Sequence, residues 1–539
     1  MAVNRVIVRM YKGLLGDCFL IRIEEALTNR YILIDCGILQ GLKGGEDHIR
    51  KIAADIAKTT SKRLDLLIVT HEHWDHISGF SQARQIFLEP SELSIDRLWM
   101  AWTEKPGDDQ ADRLRARFDK RKLALTALAN AFAPREDPPA AGAEAPDHAQ
   151  ALNNTPAPRT PPSPKEVLRQ LADFVGPVEK AGSGTAPGTV LGVVPTGRLT
   201  GRLIMQELQD KAKGVDYLEP GQVIPTPGDE PLRVAVLGPP RNEIRLFKDR
   251  PSGGDAKETY LAEQMLMDSL LGLAGDKGET LGPNTQSPFS SRYHQGLTAD
   301  VVKGVRTPAE TSADPPPATP HPDAEWLHDR YFADTERAPG YRANKRPKQD
   351  YRRIDDLGDG TAGLALKLDS DTNNTSLVLA FELPDDTFML FAADAQVGNW
   401  LSWHDQDYAL GDKPSSAEHI LNRTRLYKVG HHGSHNATLR GKGLELMTHS
   451  DLVAMVSTVT EAAAAQPSGW EMPDEDVEKA LDERCNGRVL YGDRVFPHQA
   501  AGGAAPEPHI AAFAAAIHQT DLYVDYTIYT KDMQRKDKR

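Results

Sequence analysis

Residues 71–76, with the sequence HEHWDH, place four side chains that can bind a metal ion within six positions. His71 and His73 are two residues apart, so an extended chain directs both imidazoles to the same side. Asp75 and His76 follow where we expect the chain to turn. Such a segment can offer two nitrogens to one ion, and a carboxylate with a nitrogen to a second. Imidazole and carboxylate together favour zinc and, less strongly, manganese or iron.

The elements around this segment predict how it is positioned. A short apolar run at residues 64–70, rich in branched side chains, predicts a buried strand that ends at the histidines. A helix is expected to begin at Ile77. Before this strand and helix, apolar runs predict further strands at residues 6–10, 18–23 and 31–35. An amphipathic helix is predicted over residues 46–58, with Ile49, Ile52, Ala53 and Ile56 on one face. The first hundred residues therefore predict an α/β layer.

Two ions need more ligands than one loop supplies, so further candidates are expected where other apolar strands end. Asp394 ends the run that begins at Phe391, and a carboxylate there can bridge two cations with one oxygen on each. A strand predicted at residues 426–429 is followed by His431 and His432. The glycines on both sides let the backbone turn sharply and approach the ions closely. The sequence leaves open which of the two histidines is the ligand.

Regular structure is also predicted away from these motifs. A hairpin is expected from strands at 376–381 and 388–391, with a turn at 384–386. The remaining predicted strands are at 217–224, 232–237, 452–456 and 522–529, and the remaining helices are at 109–132, 260–273 and 474–484. A Pro- and Ala-rich stretch at 133–165 predicts a linker.

The composition sets limits on the class of protein. The 539 residues could form two to four average domains or one domain with insertions, and 40% hydrophobic residues are enough for a core. A formal net charge of −14 argues against indiscriminate binding to nucleic acid, without excluding a local basic groove. Only three cysteines occur and no apolar run is long enough for a membrane helix, so we expect a cytoplasmic location and no membrane partner.

The order of regular and irregular segments predicts a folded core interrupted twice. The predicted parts are a first core part at 1–100, a helical and Pro/Ala-rich insertion at 101–214, core strands at 215–240, a second insertion at 241–365 and a second core part at 366–535. Either insertion could serve as a lid or as the surface that binds a protein partner.

These motifs resemble the metallo-β-lactamase superfamily, and within it they are most similar to the soluble hydrolase domain of ComEC-type DNA-uptake proteins. The specific blocks are HEHWDH at 71–76 and KVGHHGS at 428–434, together with Asp394. The corroborating blocks are GDCFLI at 16–21, IDCG at 34–37 and NTSLVL at 374–379. The resemblance covers about half of the chain.

The resemblance implies a four-layer αββα fold with metals at one edge of the sandwich. It implies that one ion is held by His71, His73 and His432, and a second by Asp75 and His76, with Asp394 between them. Asp35 would support the metal loop, because the ligand imidazoles need a partner for their other nitrogen. It also implies one or two zinc ions, with manganese as an alternative.

The chain departs from this pattern in several places. Relatives often carry a further histidine before a proline, where this chain has Met472. The second ion would then be weakly held, bound through another residue such as Glu471, or absent. Four other histidines lie in irregular segments and are interpreted as surface residues: His148, His294, His321 and His328. The transmembrane channel of the DNA-uptake proteins is missing, so uptake itself is not expected.

The chemistry of such a site is metal-assisted hydrolysis with a metal-activated water. Asp75 is the natural base to orient that water, while His431 or His435 could meet the leaving oxygen. Two adjacent ions suit a phosphodiester, and the basic stretch at 341–353 carries tyrosines that could stack on single-stranded nucleic acid. The favoured interpretation of that stretch is nevertheless a solvated linker.

Three functions follow as hypotheses. The first is a phosphodiesterase or nuclease that acts on a nucleic acid or nucleotide. The second keeps the same fold and ions but hydrolyses a small ester, lactone, thioester or amide. The third is a degenerate site in an interaction module that serves a multi-protein bacterial system, a hypothesis that depends on Met472.

Overall fold

The computed structural model of the chain contains two units, and the described residues all belong to the first. That unit is formed by residues 1–254 and 365–539, and the other unit, residues 255–364, lies outside the described residues. The described ranges are 3, 5–25, 28–40, 42, 44–89, 92–119, 200–229, 231–248, 370–411, 414–434, 436–465, 470, 472–497 and 507–529. The predictions for 133–165, 260–273 and 341–353 therefore lie outside them, and the helix predicted at 109–132 is described only as far as residue 119.

Strands in the described residues are numbered along the chain. They are β1 Arg5–Tyr11, β2 Phe19–Glu24, β3 Asn29–Ile34, β4 Arg63–Leu64, β5 Leu66–Ile68, β6 Ser94–Ile95, β7 Leu98–Ala101, β8 Val215–Leu218, β9 Val223–Pro225, β10 Arg233–Gly238, β11 Val378–Glu382, β12 Phe388–Phe391, β13 Asp407–Tyr408, β14 Ser415–Ser416, β15 Thr424–Lys428, β16 Val453–Val456, β17 Val489–Tyr491, β18 Ile517–Gln519 and β19 Tyr523–Tyr529.

The α-helices whose bounds are described are numbered in the same way. They are α1 Gly45–Thr59, α2 Trp74–Gln82, α3 Arg84–Phe87, α4 Gly201–Lys211, α5 Glu243–Leu246, α6 Val397–Trp403, α7 Ala417–Asn422, α8 Thr460–Ala464, α9 Glu475–Cys485 and α10 Pro508–Ala515. Residues 109–119 are helical as well. None of the helices in the described ranges combines the length and the apolar character needed to cross a bilayer.

The unit contains two large β-sheets. The first has the strand order β18–β19–β1–β2–β3–β5–β7–β8, and the second has the order β17–β16–β15–β12–β11–β10–β9. In the first sheet, β3, β5, β7 and β8 are parallel to one another. In the second, β12, β15, β16 and β17 are parallel. The mixed α/β class expected from the sequence is confirmed.

Alternating side chains divide each sheet between two apolar clusters. One cluster joins both sheets, with Ile21 and Ile32 from the first sheet and Phe381 and Phe391 from the second. A second cluster contains residues of the first sheet with those of α1, α2 and α4. A third contains residues of the second sheet with those of α6, α7 and α9. Strands that are buried on both faces explain why their sequences read as nearly continuous apolar runs.

Most predicted elements are present, with shifts at their ends. The predicted helix at 46–58 is α1, and its expected apolar face, with Ile49, Ile52, Ala53 and Ile56, is buried. The strand predicted at 64–70 is divided into β4 and β5, and the one at 217–224 into β8 and β9. The prediction that a helix begins at Ile77 is wrong, because α2 begins at Trp74 and contains Asp75 and His76. Helices α3 to α8 and α10 were not predicted.

Candidate metal centre

The parallel strands end at one place, and the candidate ligands follow directly after them. His71 lies three residues beyond the end of β5. In the second sheet, Phe391 of β12 is paired with Lys428 of β15, and Asp394 and His431 each lie three residues farther on. Ligands of open parallel sheets gather at the carboxyl ends of the strands, where backbone groups and side chains are free to turn inward. The topology therefore brings segments from distant parts of the chain together.

Two groups of side chains at this edge have the spacing of metal ligands. One contains His71, His73 and Asp394, and the other contains Asp75, His76, Asp394 and His432; in each group, the candidate ligand atoms lie within 4.8 Å of one another. All six side chains are buried, with at most 1% exposure. Asp394 belongs to both groups. His432 falls with Asp75 and His76, and not with His71 and His73 as the resemblance implied.

The start of α2 positions Asp75 and His76. His73 is the N-cap residue, and Asp75 and His76 occupy the first turn. The backbone of this turn is bound from outside: the N–H of Asp17 donates to the Asp75 carbonyl at 3.0 Å, and the N–H of Cys36 donates to the His76 carbonyl at 2.8 Å. The loops that follow β1 and β3 therefore fix the position of these two candidate ligands.

Glycine is required where these loops approach the turn. A Cβ atom on Gly37 would lie 2.2 Å from the carbonyl carbon and oxygen of Asp75. A Cβ atom on Gly16 would lie 2.5 Å from the same oxygen. Such distances are far below any real contact. Each loop can therefore reach residues 71–76 (the metal segment) only because glycine has a hydrogen in place of a side chain.

Hydrogen bonds determine which nitrogen of His76 and His432 carries the proton. His76 Nδ1 lies 2.8 Å from Asp35 Oδ2, and His432 Nδ1 lies 2.6 Å from the carbonyl oxygen of Ser457. Both oxygens can only accept, so each Nδ1 donates and each neutral ring keeps its lone pair on Nε2. These Nε2 atoms face other acceptors: His76 Nε2 is 3.1 Å from Asp394 Oδ2, and His432 Nε2 is 3.0 Å from Asp75 Oδ2.

Hydrogen bonds also indicate which ring nitrogen of His71 carries the proton. Its Nδ1 lies 3.1 Å from Thr70 Oγ1 and 3.3 Å from Ser376 Oγ. The Thr70 hydroxyl donates to Asp35 Oδ2 at 2.6 Å, so it can accept a hydrogen bond from the N–H of His71 Nδ1. His71 Nε2 and Asp75 Oδ1 have no hydrogen-bond partner among the described residues, although both are buried.

Asp35 organises both imidazoles through one carboxylate. It accepts from the N–H and the hydroxyl of Thr70 and from His76 Nδ1. It therefore acts on His76 directly and on His71 through Thr70. Its backbone adopts a left-handed conformation, with φ of 54°. This conformation is strained for a residue other than glycine, and strained residues of this kind are often found in functional segments.

The pKa values show that this cluster attracts positive charge. Burial lowers the pKa of His76, but the carboxylates of Asp394 and Asp75 outweigh it and hold that pKa well above its usual value. Burial likewise opposes protonation of His432, whose pKa is nevertheless raised, chiefly by its hydrogen bond to Asp75. Burial raises the pKa of Asp394, yet His76 and His431 bring it well below its ordinary range.

The donor set therefore fits a metal ion. Lone pairs on His76 and His432 face carboxylate oxygens at hydrogen-bond distance, an arrangement that is repulsive unless a proton or a metal cation lies between them. Nitrogen and carboxylate ligands of this kind suit zinc, and two buried groups that share a carboxylate suit one or two ions.

The two adjacent histidines have different surroundings. His432 belongs to the group of four, whereas His431 belongs to neither group. His431 Nε2 lies 3.9 Å from Asp394 Oδ2, and its Nδ1 lies 3.0 Å from Ser434 Oγ. Both histidines have positive φ angles, which strain a residue with a Cβ atom, whereas the following Gly433 adopts a positive φ without strain.

Several residues of the centre were not singled out from the sequence as site residues. These are Asp17, Thr70, Ser376, Lys428 and Ser457, all buried. Asp17, Ser376 and Lys428 fall inside the motif blocks, which was the available signal. Of the other candidates, Glu471 and His435 lie outside the described residues, as do His148, His294, His321 and His328. Met472 packs beside a small apolar cluster of Leu15, Leu39 and Ala463.

Glu104 has a carboxyl group that is affected by the charge of Glu72, within the metal segment. Burial, together with the charge of Glu72, raises the pKa of Glu104 to about 7. A carboxyl group whose pKa is higher in the folded state than in the unfolded state contributes to stability when it is protonated. This contribution is complete below the unfolded-state pKa of about 4.5, and it is lost as the pH rises through the folded-state pKa of about 7.

We therefore expect Glu104→Gln to gain stability relative to the wild type as the pH rises from 5 to 8, by about 2 kcal/mol. The measurement is the urea midpoint of metal-loaded protein at each pH. Glu418→Gln, at an exposed position, is the control for removing a surface charge. A difference between wild type and Glu104→Gln that stays constant from pH 5 to 8 would contradict the expectation.

The fold and the site together define a mixed α/β protein with a candidate histidine–aspartate metal centre at the carboxyl edge of its parallel strands. Residues 11–197 match the family model of the metallo-beta-lactamase superfamily, most of whose members are hydrolytic enzymes. The matched range includes residues 71–76 and ends before Asp394 and His432. The convergence of those two residues on the metal segment is thus independent of the match. No curated protein matches the chain.

Proposed function

We propose that this protein is a metal-dependent hydrolase that acts on phosphodiesters, as a phosphodiesterase or nuclease. The proposal includes a four-layer αββα arrangement, which is supported by the three apolar clusters: one joins the sheets, and each of the others joins a sheet to helices. The observation that carries the proposal is the pair of ligand groups that share Asp394. Two adjacent ions suit the in-line displacement at a phosphodiester particularly well.

The residues would divide between two ions. His71 and His73 would hold one, Asp75, His76 and His432 would hold the other, and Asp394 would contribute to both. Zinc is the metal we expect, with manganese as an alternative. When bound, such ions lower the pKa of water and offset negative charge that develops on the substrate.

The chain itself supplies orientation and proton transfer. Asp75 Oδ1 is buried with no hydrogen-bond partner among the described residues, and it is available to orient a water molecule. The Ser434 hydroxyl donates to Asn436 Oδ1 at 2.9 Å, so it accepts from His431 Nδ1. The neutral His431 ring then presents its lone pair at Nε2, and a proton taken up there can be passed to a leaving oxygen.

The group of four forms without a ligand at position 472, and this favours a hydrolase over a degenerate interaction module. Asp75, His76, Asp394 and His432 all lie within the described residues and are fully buried. The substrate class is less constrained, since the basic stretch at 341–353 lies outside the described residues. The substrate must therefore be identified by assay.

A substrate panel with a variant outside both ligand groups tests this proposal. Zinc- or manganese-loaded protein is assayed with bis-p-nitrophenyl phosphate, plasmid DNA, nitrocefin and a lactone. We expect hydrolysis of the phosphodiesters, and we expect His431→Gln to lower kcat by roughly 100-fold while the bound metal is unchanged. His518→Gln, at an exposed position of β18, is the matched control and should retain full activity.

The alternatives give different results in the same assay. Hydrolysis of nitrocefin or the lactone, with no action on either phosphodiester, would replace the proposal with the small-ester function. Less than one ion per chain and no hydrolysis would favour the interaction module. Loss of metal in His431→Gln would mean that His431 is a ligand, which would overturn its assigned role.

A further inference from the structure

Lys428 places a buried ammonium group beside the candidate metal centre. It is the last residue of β15, and it is 1% exposed. Its Nζ forms an ion pair with Asp17 Oδ2 and donates to the carbonyl oxygen of Ala393 at 3.2 Å. The same atom lies 3.8 Å from Asp394 Oδ1. A buried ammonium is costly unless it is well paired, and here its partners lie at the metal centre.

The two oxygens of Asp394 have different surroundings. Oδ1 accepts from the backbone N–H of His431 at 3.2 Å and faces Lys428. Oδ2 lies 3.1 Å from His76 Nε2 and accepts no hydrogen bond from the other described residues. The backbone N–H and the ammonium therefore fix the carboxylate in the orientation that directs Oδ2 toward the imidazoles.

Lys428 also holds the backbone that carries Asp394. The preceding residue, Ala393, has a left-handed φ of 47°, which is unfavourable for a residue with a Cβ atom. Its carbonyl oxygen accepts from Lys428 Nζ and from the backbone N–H of His431. The ammonium therefore stabilises the conformation that places Asp394 between the two ligand groups.

A third group of side chains lies behind the centre, and Lys428 explains it. Asp17, Asp35 and His76 also have the spacing of metal ligands. However, His76 Nδ1 is already engaged with Asp35 Oδ2, and Asp17 is already paired with Lys428. The positive charge that a third metal ion would bring is therefore supplied by the chain.

We propose that Lys428 is the resident cation of this third group and a positioning residue that fixes Asp394 for metal binding. This inference rests on the proposed metal centre. It predicts two ions at most in the wild type, and a weaker hold on them when the ammonium is removed. Partners of this kind behind a ligand are worth about 10–100-fold in metal affinity.

The test measures metal affinity directly by competition with a chelating dye, and metal geometry by the visible absorption of the cobalt-substituted protein. We expect Lys428→Met to weaken the last-bound zinc by 10–100-fold and to change the cobalt spectrum. Lys428→Arg keeps a cation, and it should recover most of the affinity. Lys62→Met, which removes a lysine with 57% side-chain exposure, is the matched control and should leave both measurements unchanged.

A double variant separates positioning from folding. Removal of Lys428 alone leaves Asp17 buried and unpaired, which can prevent folding. Asp17→Asn/Lys428→Met removes both charges, so it should be more stable than Lys428→Met and still bind the last zinc more weakly than the wild type. Zinc affinity within twofold of the wild type in the double variant would overturn the inference, and so would a third equivalent of zinc in the wild type. Wild-type protein that binds no metal would instead refute the proposed function.

Discussion

Replacement of Asp394 with alanine is expected to remove metal from both ligand groups. Asp394 contributes to the group of His71 and His73 and also to the group of Asp75, His76 and His432. It is fully buried, and an alanine side chain offers no atom that could replace the carboxylate as a ligand. We expect bound zinc to fall from two ions per chain to nearly none, and kcat/KM to fall at least about 10³-fold, since removing a partner behind a ligand already costs 10–100-fold.

Variants of the separate groups make this prediction specific. His71→Ala and His432→Ala should each remove one ion and leave the other, because each belongs to a single group. Asp229→Ala, at a side chain that is 88% exposed, controls for the loss of an aspartate. The measurement is metal content by mass spectrometry after dialysis. Two ions retained by Asp394→Ala would show that the groups do not share this carboxylate.

The first part of the candidate site could be recognised from the sequence because its candidate ligands lie within six consecutive residues. Residues 71–76 reveal their chemistry by composition alone, and the apolar run before them predicts β5. The start of α2 at Trp74 was missed because its N-cap residue is His73, a weak capping residue that makes no side-chain hydrogen bond to the helix. Usual start signals such as Ser or Asp at the cap are absent here.

The grouping of the candidate ligands could not be predicted in the same way. Asp394 and His432 were found as polar residues at strand ends, but their distances to Asp75 depend on the parallel pairing of β12 with β15. Pairing between distant strands is set by tertiary packing, which local patterns do not contain. The left-handed turn at His431 and His432 also decides where each ring points.

The buried supporting residues were the least visible in the sequence. A lysine at the end of an apolar strand is typical of a solvated strand end, yet Lys428 is buried against Asp17. Ser376 and Thr70 look like ordinary strand residues until their hydroxyls are seen beside His71. Hydrogen-bond partners of this kind depend on side-chain directions that only the assembled sheets establish.

Replacement of Gly37 with alanine is expected to disrupt the metal segment and much of the stability of the fold. The added Cβ atom would lie 2.2 Å from the Asp75 carbonyl group and 2.4 Å from the backbone nitrogen of His76. The end of a flexible side chain could rotate away from the new atom, but these backbone atoms cannot shift without distorting the turn. The hydrogen bond from Cys36 to the His76 carbonyl lies next to this contact and would be lost with it. We expect destabilisation of about 3 kcal/mol or more.

A second glycine provides a matched comparison. Gly441 lies on a turn where the nearest atom to an added Cβ is 3.9 Å away, so Gly441→Ala should change stability by less than about 0.5 kcal/mol. Urea unfolding with and without bound zinc measures both effects. We expect zinc to stabilise the wild type and Gly441→Ala strongly and Gly37→Ala only weakly, because the new side chain displaces the turn that carries two of the ligands. Equal stability and equal zinc content in Gly37→Ala would mean that the two loops are not packed as described.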